Sequence, residues 1–195
     1  MKRLQTISMF AMTLLVALQV SAADSALPAP VQPWSDDVVD LWKTIPIQDG
    51  GRLKPLDTFA AFKMLKLHGK RTMRLVHAGA TIKLSPVEWL LDCLFRRDTA
   101  VTHPTFTVDN SSVIVAIGLS PHEKKRSRYS YTELEPGIGR LFELAEQYSE
   151  IDAQQRNGLQ TMTVNLANNV NDFEFLLHYF DFARIPLNLS AADLS

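Results

Sequence analysis

The sequence is poor in cysteine, in long apolar runs and in any excess of one charge. Its 195 residues include one cysteine, Cys93. A single thiol closes no internal disulfide. Cys93 stands within Leu90-Leu91-Asp92-Cys93-Leu94-Phe95, where it reads as a small buried hydrophobe. Twenty bases face 21 acids, for a formal charge of −1, which argues against a polyanion binder and so against a nucleic-acid partner. Short chemical motifs are missing too: CxxCH, HExxH, a Walker loop and GxSxG are all absent. The five histidines are His68, His77, His103, His122 and His178, and no two stand three or four apart as a helix-borne metal site requires. His77 and His103 fall in expected loops, free to ligate but unpaired. Asp49 and Asp57 do not make a convincing catalytic carboxylate pair, because turn and helix-start chemistry accounts for both. The chain therefore reads as non-enzymatic, with no metal. The three tryptophans, Trp34, Trp42 and Trp89, are scattered.

What is present begins with an address. Met1-Lys2-Arg3 is basic, Ile7 to Val20 is apolar and uncharged, and Ser21-Ala22-Ala23 supplies small residues before Asp24. That is the layout of a secretory signal peptide over 1–23. The apolar run is shorter than the roughly 20 residues of a membrane span; retention as an anchor is the alternative. Removing 1–23 takes two bases and no acid, leaving a charge of −3. Residues 24–34, with three prolines, read as a flexible leader. Residues 35–195, in a chain 46% apolar, read as one exported domain with a sizeable core.

The stretch Pro46-Ile47-Gln48-Asp49-Gly50-Gly51-Arg52-Leu53-Lys54-Pro55-Leu56-Asp57-Thr58-Phe59 organises the rest. Gly50-Gly51 favours a tight reversal at positive φ. Pro55 fixes its own φ and keeps Lys54 extended. Asp57 or Thr58 then caps a helix starting at Phe59. The expected shape is turn, short extended run, helix, with Arg52 and Lys54 presented between. An arginine fork holds a carboxylate well; the candidate targets are Asp49 or Asp57, a partner's acid, or a haem propionate. The bland reading is a rigid structural corner.

Around this corner, Ser35 to Ile45 has a cap and helical spacing, ending at Pro46. Lys66 to Lys83 holds five bases and no acid, and forms either a short strand near Met73–Val76 or a loop. Its positive surface is either a solvated face or a contact for anionic lipid heads, haem propionates or an acidic partner. Ser85-Pro86-Val87-Glu88 is a capping box with proline at the first helical position. Trp89 lies beside the apolar face of that helix, as a contact or a core residue. Thr105 to Asp109 suggests a short strand, and Ser112 to Gly118 either strand or short helix. Ser120 to Arg128 is a basic loop. A helix over about Pro136–Ser149 follows. The last helix is expected from about Asp152 to Ala183, with Leu159, Met162, Leu166, Val170, Phe173, Leu177 and Phe180 forming a seam. That seam packs on the preceding helix or faces a partner or a second copy, and the asparagines at 165, 168, 169 and 171 favour a break. His178, among Phe175-Leu176-Leu177-His178-Tyr179-Phe180, would suit a porphyrin face or serve as a hydrogen-bonded structural residue. The fold class is mainly α: about five helices around one core, a long C-terminal helix, and at most a small strand pair.

The run IPIQDGGRLKPLDTFA, followed by Ser85-Pro86-Val87-Glu88-Trp89-Leu90-Leu91, resembles the periplasmic segment found with Ccs-type (system II) cytochrome c biogenesis proteins. Tyr129-Ser130-Tyr131-Thr132-Glu133-Leu134 is a weaker third match, and the resemblance spans roughly Trp42 to Gln147. It implies a periplasmic accessory subunit of cytochrome c maturation at the outer face of the inner membrane. Its partner would be an integral-membrane assembly protein, with apocytochrome c as a further partner, and haem would be handled through that complex rather than held by this chain. On that reading the candidate contacts are Asp49, Gly50, Gly51, Arg52, Lys54, Pro55, Asp57 and Trp89, aided by the last helix, and His178 is a candidate haem contact from its aromatic surroundings alone. The competing reading, from a different class, is a free periplasmic binding module for a small anionic ligand.

Overall fold

In a computed structural model, residues 33–77, 80–123 and 127–181 are described. The signal peptide, nearly all of the leader and the tail beyond Asp181 lie outside them. Local sequence chemistry sets most element boundaries. Helix α1 (Asp36–Thr44) starts after Ser35 and stops before Pro46, as proline requires. Strands β1 (Pro46–Asp49) and β2 (Arg52–Pro55) form a hairpin with Asp49 opposite Arg52. Gly50 and Gly51 both take positive φ, +59° and +74°. Two such residues in a row are what a two-residue type I′ turn demands, and its twist matches that of the strands. The expected extended run is thus one arm of a hairpin.

Helix α2 (Leu56–His68) follows without a break. It starts three residues earlier than Phe59, and Pro55 occupies the cap position with no side-chain cap bond. Asp57 sits instead in the first turn, where it favours the positive end of the helix. Gly69, at φ +74°, ends the helix in the left-handed conformation. Strands β3 (Met73–His77) and β4 (Ala80–Leu84) pair next. Helix α3 (Pro86–Phe95) opens with the capping box: Glu88 N–H donates to Ser85 Oγ at 3.3 Å, and Ser85 N–H to Glu88 Oε2 at 2.8 Å. Such caps are worth about 1 kcal/mol.

After the single turn α4 (Arg97–Ala100) come β5 (Phe106–Val108), α5 (Ser111–Ala116) and β6 (Ser127–Tyr129), the two strands pairing antiparallel. Residues 112–118 are therefore mostly helical, stopped by Gly118 at φ +82°. A second capping box, Ser130 with Glu133, opens α6 (Tyr131–Leu134), so the third motif match also has a local physical cause. A 3-10 turn (Glu135–Gly137) leads into α7 (Ile138–Ser149). A third box, Asn157 with Gln160, opens α8 (Gly158–His178).

The expected fold class is corrected by this arrangement. Among the described residues there are six helices of six or more residues, two single-turn helices and three separate antiparallel strand pairs, rather than five helices with one pair at most. The miscount has a physical origin. Strands of three to five residues show too few alternations to register as a pattern, and single-turn helices have no periodicity at all. The C-terminal helix is 21 residues, about 32 Å, rather than thirty. Residues 152–157 form turns before it, and the asparagine-rich stretch continues unbroken.

The core gathers Leu56, Met64, Leu67, Met73, Leu84, Trp89, Leu90, Leu91, Phe106, Ile114, Leu134, Leu141, Val170 and Phe173, all buried. Helix α8 packs chiefly on α7, and also on α3 and β5. Leu166, Val170, Phe173 and Leu177 of its seam are 4% exposed or less. The chain itself covers those four positions, while Met162 is 39% exposed and Leu159 and Phe180 are half-buried.

Candidate docking site

The two residues on each side of the glycine turn divide the β1–β2 hairpin into unlike faces. Residues opposite one another in an antiparallel pair share a face. Ile47, Asp49, Arg52 and Lys54 therefore lie together, and Pro46, Gln48, Leu53 and Pro55 lie on the other side. Ile47 packs against the core. Lys54 Nζ donates to Asp49 Oδ2 at 2.7 Å, across the diagonal of the hairpin. Of the targets considered for the two bases, Asp49 is the one Lys54 takes. No ion pair to Arg52 is seen among the described residues, and Arg52 is exposed.

The second face is entirely exposed. Leu53, at 79%, is the most exposed large apolar residue among those described. Sequence reasoning weighted the charges and passed over Leu53. The signal that could have found it is parity: once Ile47 is known to face inward, Leu53 must face outward. A Cβ on Gly50 or Gly51 would meet nothing within 4 Å, so these glycines are needed for backbone conformation alone. Leu56 N–H donates to Ile45 O at 2.9 Å and closes the base of the hairpin against α1.

The remaining expected contacts are dispersed. Trp89 has no exposed surface, and its indole N–H reaches Thr105 Oγ1 at 3.4 Å. It is a core residue, out of a partner's reach, because the apolar face of α3 is wide enough to include it. His103 is also no free ligand: it is 2% exposed and its Nε2 lies 3.0 Å from Asp92 Oδ2. Asp92 is wholly buried, and its Oδ1 accepts the indole N–H of Trp34 at 2.9 Å. Trp34, expected at the end of a flexible leader, is thereby tied to α3, with the Arg96 guanidinium 3.8 Å from its ring centre. The side chain of His77 is not described.

His178 is exposed at the end of α8. Its Nδ1 lies 2.6 Å from Asp181 Oδ2 and 3.2 Å from an Arg97 nitrogen. Arg97 also donates to Leu177 O and to Asp181 Oδ1. The ring is thus held in a polar cluster that ties α4 to the end of α8. Nearby the fold assembles an aromatic group that the linear order hides. Phe95 meets Trp34 and Trp42 edge-on, with centroids 6.3 and 5.4 Å away, and stacks on Phe180 at 5.5 Å. Such pairs add about 0.5–1.5 kcal/mol each beyond burial.

Burial pushes the Cys93 thiol well above its usual range, so the thiolate is suppressed. Burial and the hydrogen bond to Glu174 push the Tyr131 phenol up to about 12. Among the described residues no three His, Cys, Asp or Glu side chains stand together as a metal site. A small cavity of about 210 Å³ is lined by Thr107, Asp109, Asn165, Asn169, Val113 and Met162, among others. It is smaller than the roughly 300–1,000 Å³ typical of ligand pockets, and no base lines it. An anion-binding module would not place its ligand there. No described helix is long and apolar enough to cross a membrane. No family model matches the sequence, and no curated protein matches it.

Proposed function

We propose that this chain is a periplasmic accessory subunit of cytochrome c maturation, docking through the β1–β2 hairpin on an integral-membrane assembly protein. The observation that carries the reading is the exposed Gln48–Leu53 face on the very stretch that resembles the Ccs-associated segment. An apolar residue held 79% exposed on a rigid hairpin is suited to a partner's pocket. Asp49 and Lys54 neutralise one another, which leaves Leu53 as the anchor and Arg52 as the steering charge. Gly50, Gly51 and Pro55 hold the geometry, Asp57 supports the start of α2, and Trp89 acts only through the core. Haem belongs to the partner complex, and apocytochrome c is its substrate.

The test is purification of the tagged full chain from native membranes in mild detergent, read by mass spectrometry and haem absorbance. A multi-spanning assembly protein should co-purify, and Leu53→Asp should reduce its recovery about tenfold or more, as loss of a central anchor does. Arg52→Glu should reduce it less. Recovery of the chain alone, or recovery indifferent to Leu53→Asp, would sink the reading.

A further inference from the structure

A second surface is built on a different hairpin and from different chemistry. In the β3–β4 pair, Met73 stands opposite Leu84, Arg74 opposite Lys83, Leu75 opposite Ile82 and Val76 opposite Thr81. Met73 and Leu84 are buried, and Leu75 and Ile82 are half-buried. That fixes the inward face. Arg74, Val76, Thr81 and Lys83 must then point outward together, and all four are exposed.

Arg74 and Lys83 are like charges placed directly across from one another. Such a pair destabilises a sheet instead of supporting it. Neither has an ion-pair partner among the described residues. Nor can the local sequence supply one, since residues 58–87 hold six bases and no acid. Two of the six, Lys63 and Lys66, share the single carboxylate of Asp172 at 3.3 and 2.7 Å. Burial opposes ionisation of Asp172, but these two lysines outweigh it and hold its carboxyl below the usual range. Among the described residues, no ion pair to Lys70, Arg71, Arg74 or Lys83 is seen. Arg71 lies over the ring of Phe62, 5.5 Å from its centre, and Phe62 is itself 55% exposed. Val76, one step nearer the turn on the same face as the Arg74–Lys83 pair, is 78% exposed.

We propose that this outward β3–β4 face binds the surface of an anionic lipid bilayer. Cations alone would suit any acidic partner. A cation pair beside an exposed valine, with an exposed phenylalanine under Arg71, suits a surface that offers phosphate groups and, just beneath them, an apolar layer. Each base near such a surface is worth about fivefold in partitioning. The bilayer phosphates would also relieve the repulsion between Arg74 and Lys83. The proposal stands independently of the cytochrome c reading, because it uses none of the residues of the β1–β2 hairpin.

The test is co-sedimentation of the full chain with vesicles of phosphatidylcholine alone and of phosphatidylcholine mixed with phosphatidylglycerol. The variants are Arg74→Glu/Lys83→Glu and Val76→Ser, with thermal melting as a check on folding. The wild type should prefer the anionic vesicles, and the double variant should lose about 25-fold or more of that preference. Val76→Ser should weaken binding severalfold, and added salt should release the chain. Anionic-vesicle binding unchanged in the double variant overturns the proposal. So does binding indifferent to Val76→Ser together with equal binding to soluble polyglutamate, which would point to an acidic protein partner.

Discussion

The two N-terminal hairpins use one backbone device for opposite ends. In β1–β2, one acid stands across from Arg52 and pairs on the diagonal with Lys54, so one of the two bases is answered within the hairpin and Arg52 is left over. In β3–β4, a base faces a base, and no ion pair to either is seen among the described residues. The first turns on two glycines at positive φ and exposes an apolar residue on the face opposite its one ion pair. The second exposes an apolar residue beside a pair of like charges. A hairpin with one base left over presents mainly shape, whereas one with two facing bases presents potential. The first suits a protein pocket and the second an extended charged surface.

The contrast can be broken at several points. Met73→Ala should cost about 2–5 kcal/mol of global stability in urea unfolding, because Met73 anchors the inner side of β3 with no exposed surface. The outward Leu53→Ser should change it by less than about 0.5 kcal/mol. Equal losses would mean that the inward and outward faces have been misassigned. Next, Gly50→Val or Gly51→Val should cost about 1–2 kcal/mol, since a β-branched residue must be forced to positive φ. Hydrogen exchange should then show β1–β2 opening locally while β3–β4 keeps its protection.

Smaller but more diagnostic are the charge reversals. Lys83→Glu should stabilise β3–β4 by about 0.2–1 kcal/mol, by turning a like pair into an opposite one. Asp49→Lys should destabilise β1–β2 by a similar amount. The same sign in both hairpins would remove the distinction. The smallest expected effect is in pH dependence. Burial depresses the proton affinity of His68, against the pull of its hydrogen bond to Pro104 O at 2.9 Å. Below its usual value near 6.5, the unfolded chain takes up a proton that the folded chain resists. Stability is therefore present above that pH and is lost as the pH falls through it toward the lower folded value. His68→Gln should flatten the urea midpoint as the pH falls below about 6.5. That change should soften the junction before β3 without touching β1–β2.

Much of the fold was legible wherever one residue dictates its neighbours' geometry. Ser85 with Glu88, Gly69 after α2, Pro46 after α1 and the Gly50-Gly51 reversal all act within four residues. The candidate docking site was legible only in part. Its position followed from the glycines and prolines, but Leu53 was hidden because its exposure depends on which side of a four-residue strand meets the core. For the same reason the sequence leaves Trp89 open between core and contact and hides the partner of His103. Whether a tryptophan beside an apolar stripe is buried, and whether a loop histidine meets a buried aspartate, depend on residues 16 and 11 positions away.

The sequence by itself determined the caps, the turn and the local acid-free positive stretch, because these are consequences of covalent geometry, hydrogen-bonding side chains and composition. Only the tertiary structure decided which face of each hairpin points outward. It also decided that Leu166, Val170, Phe173 and Leu177 of the α8 seam are covered, and that Phe95 meets Trp34, Trp42 and Phe180. The reason is physical. A strand of four or five residues carries both of its faces in the sequence, and the face that loses its water is chosen by the apolar surface packed against it, which the rest of the chain supplies.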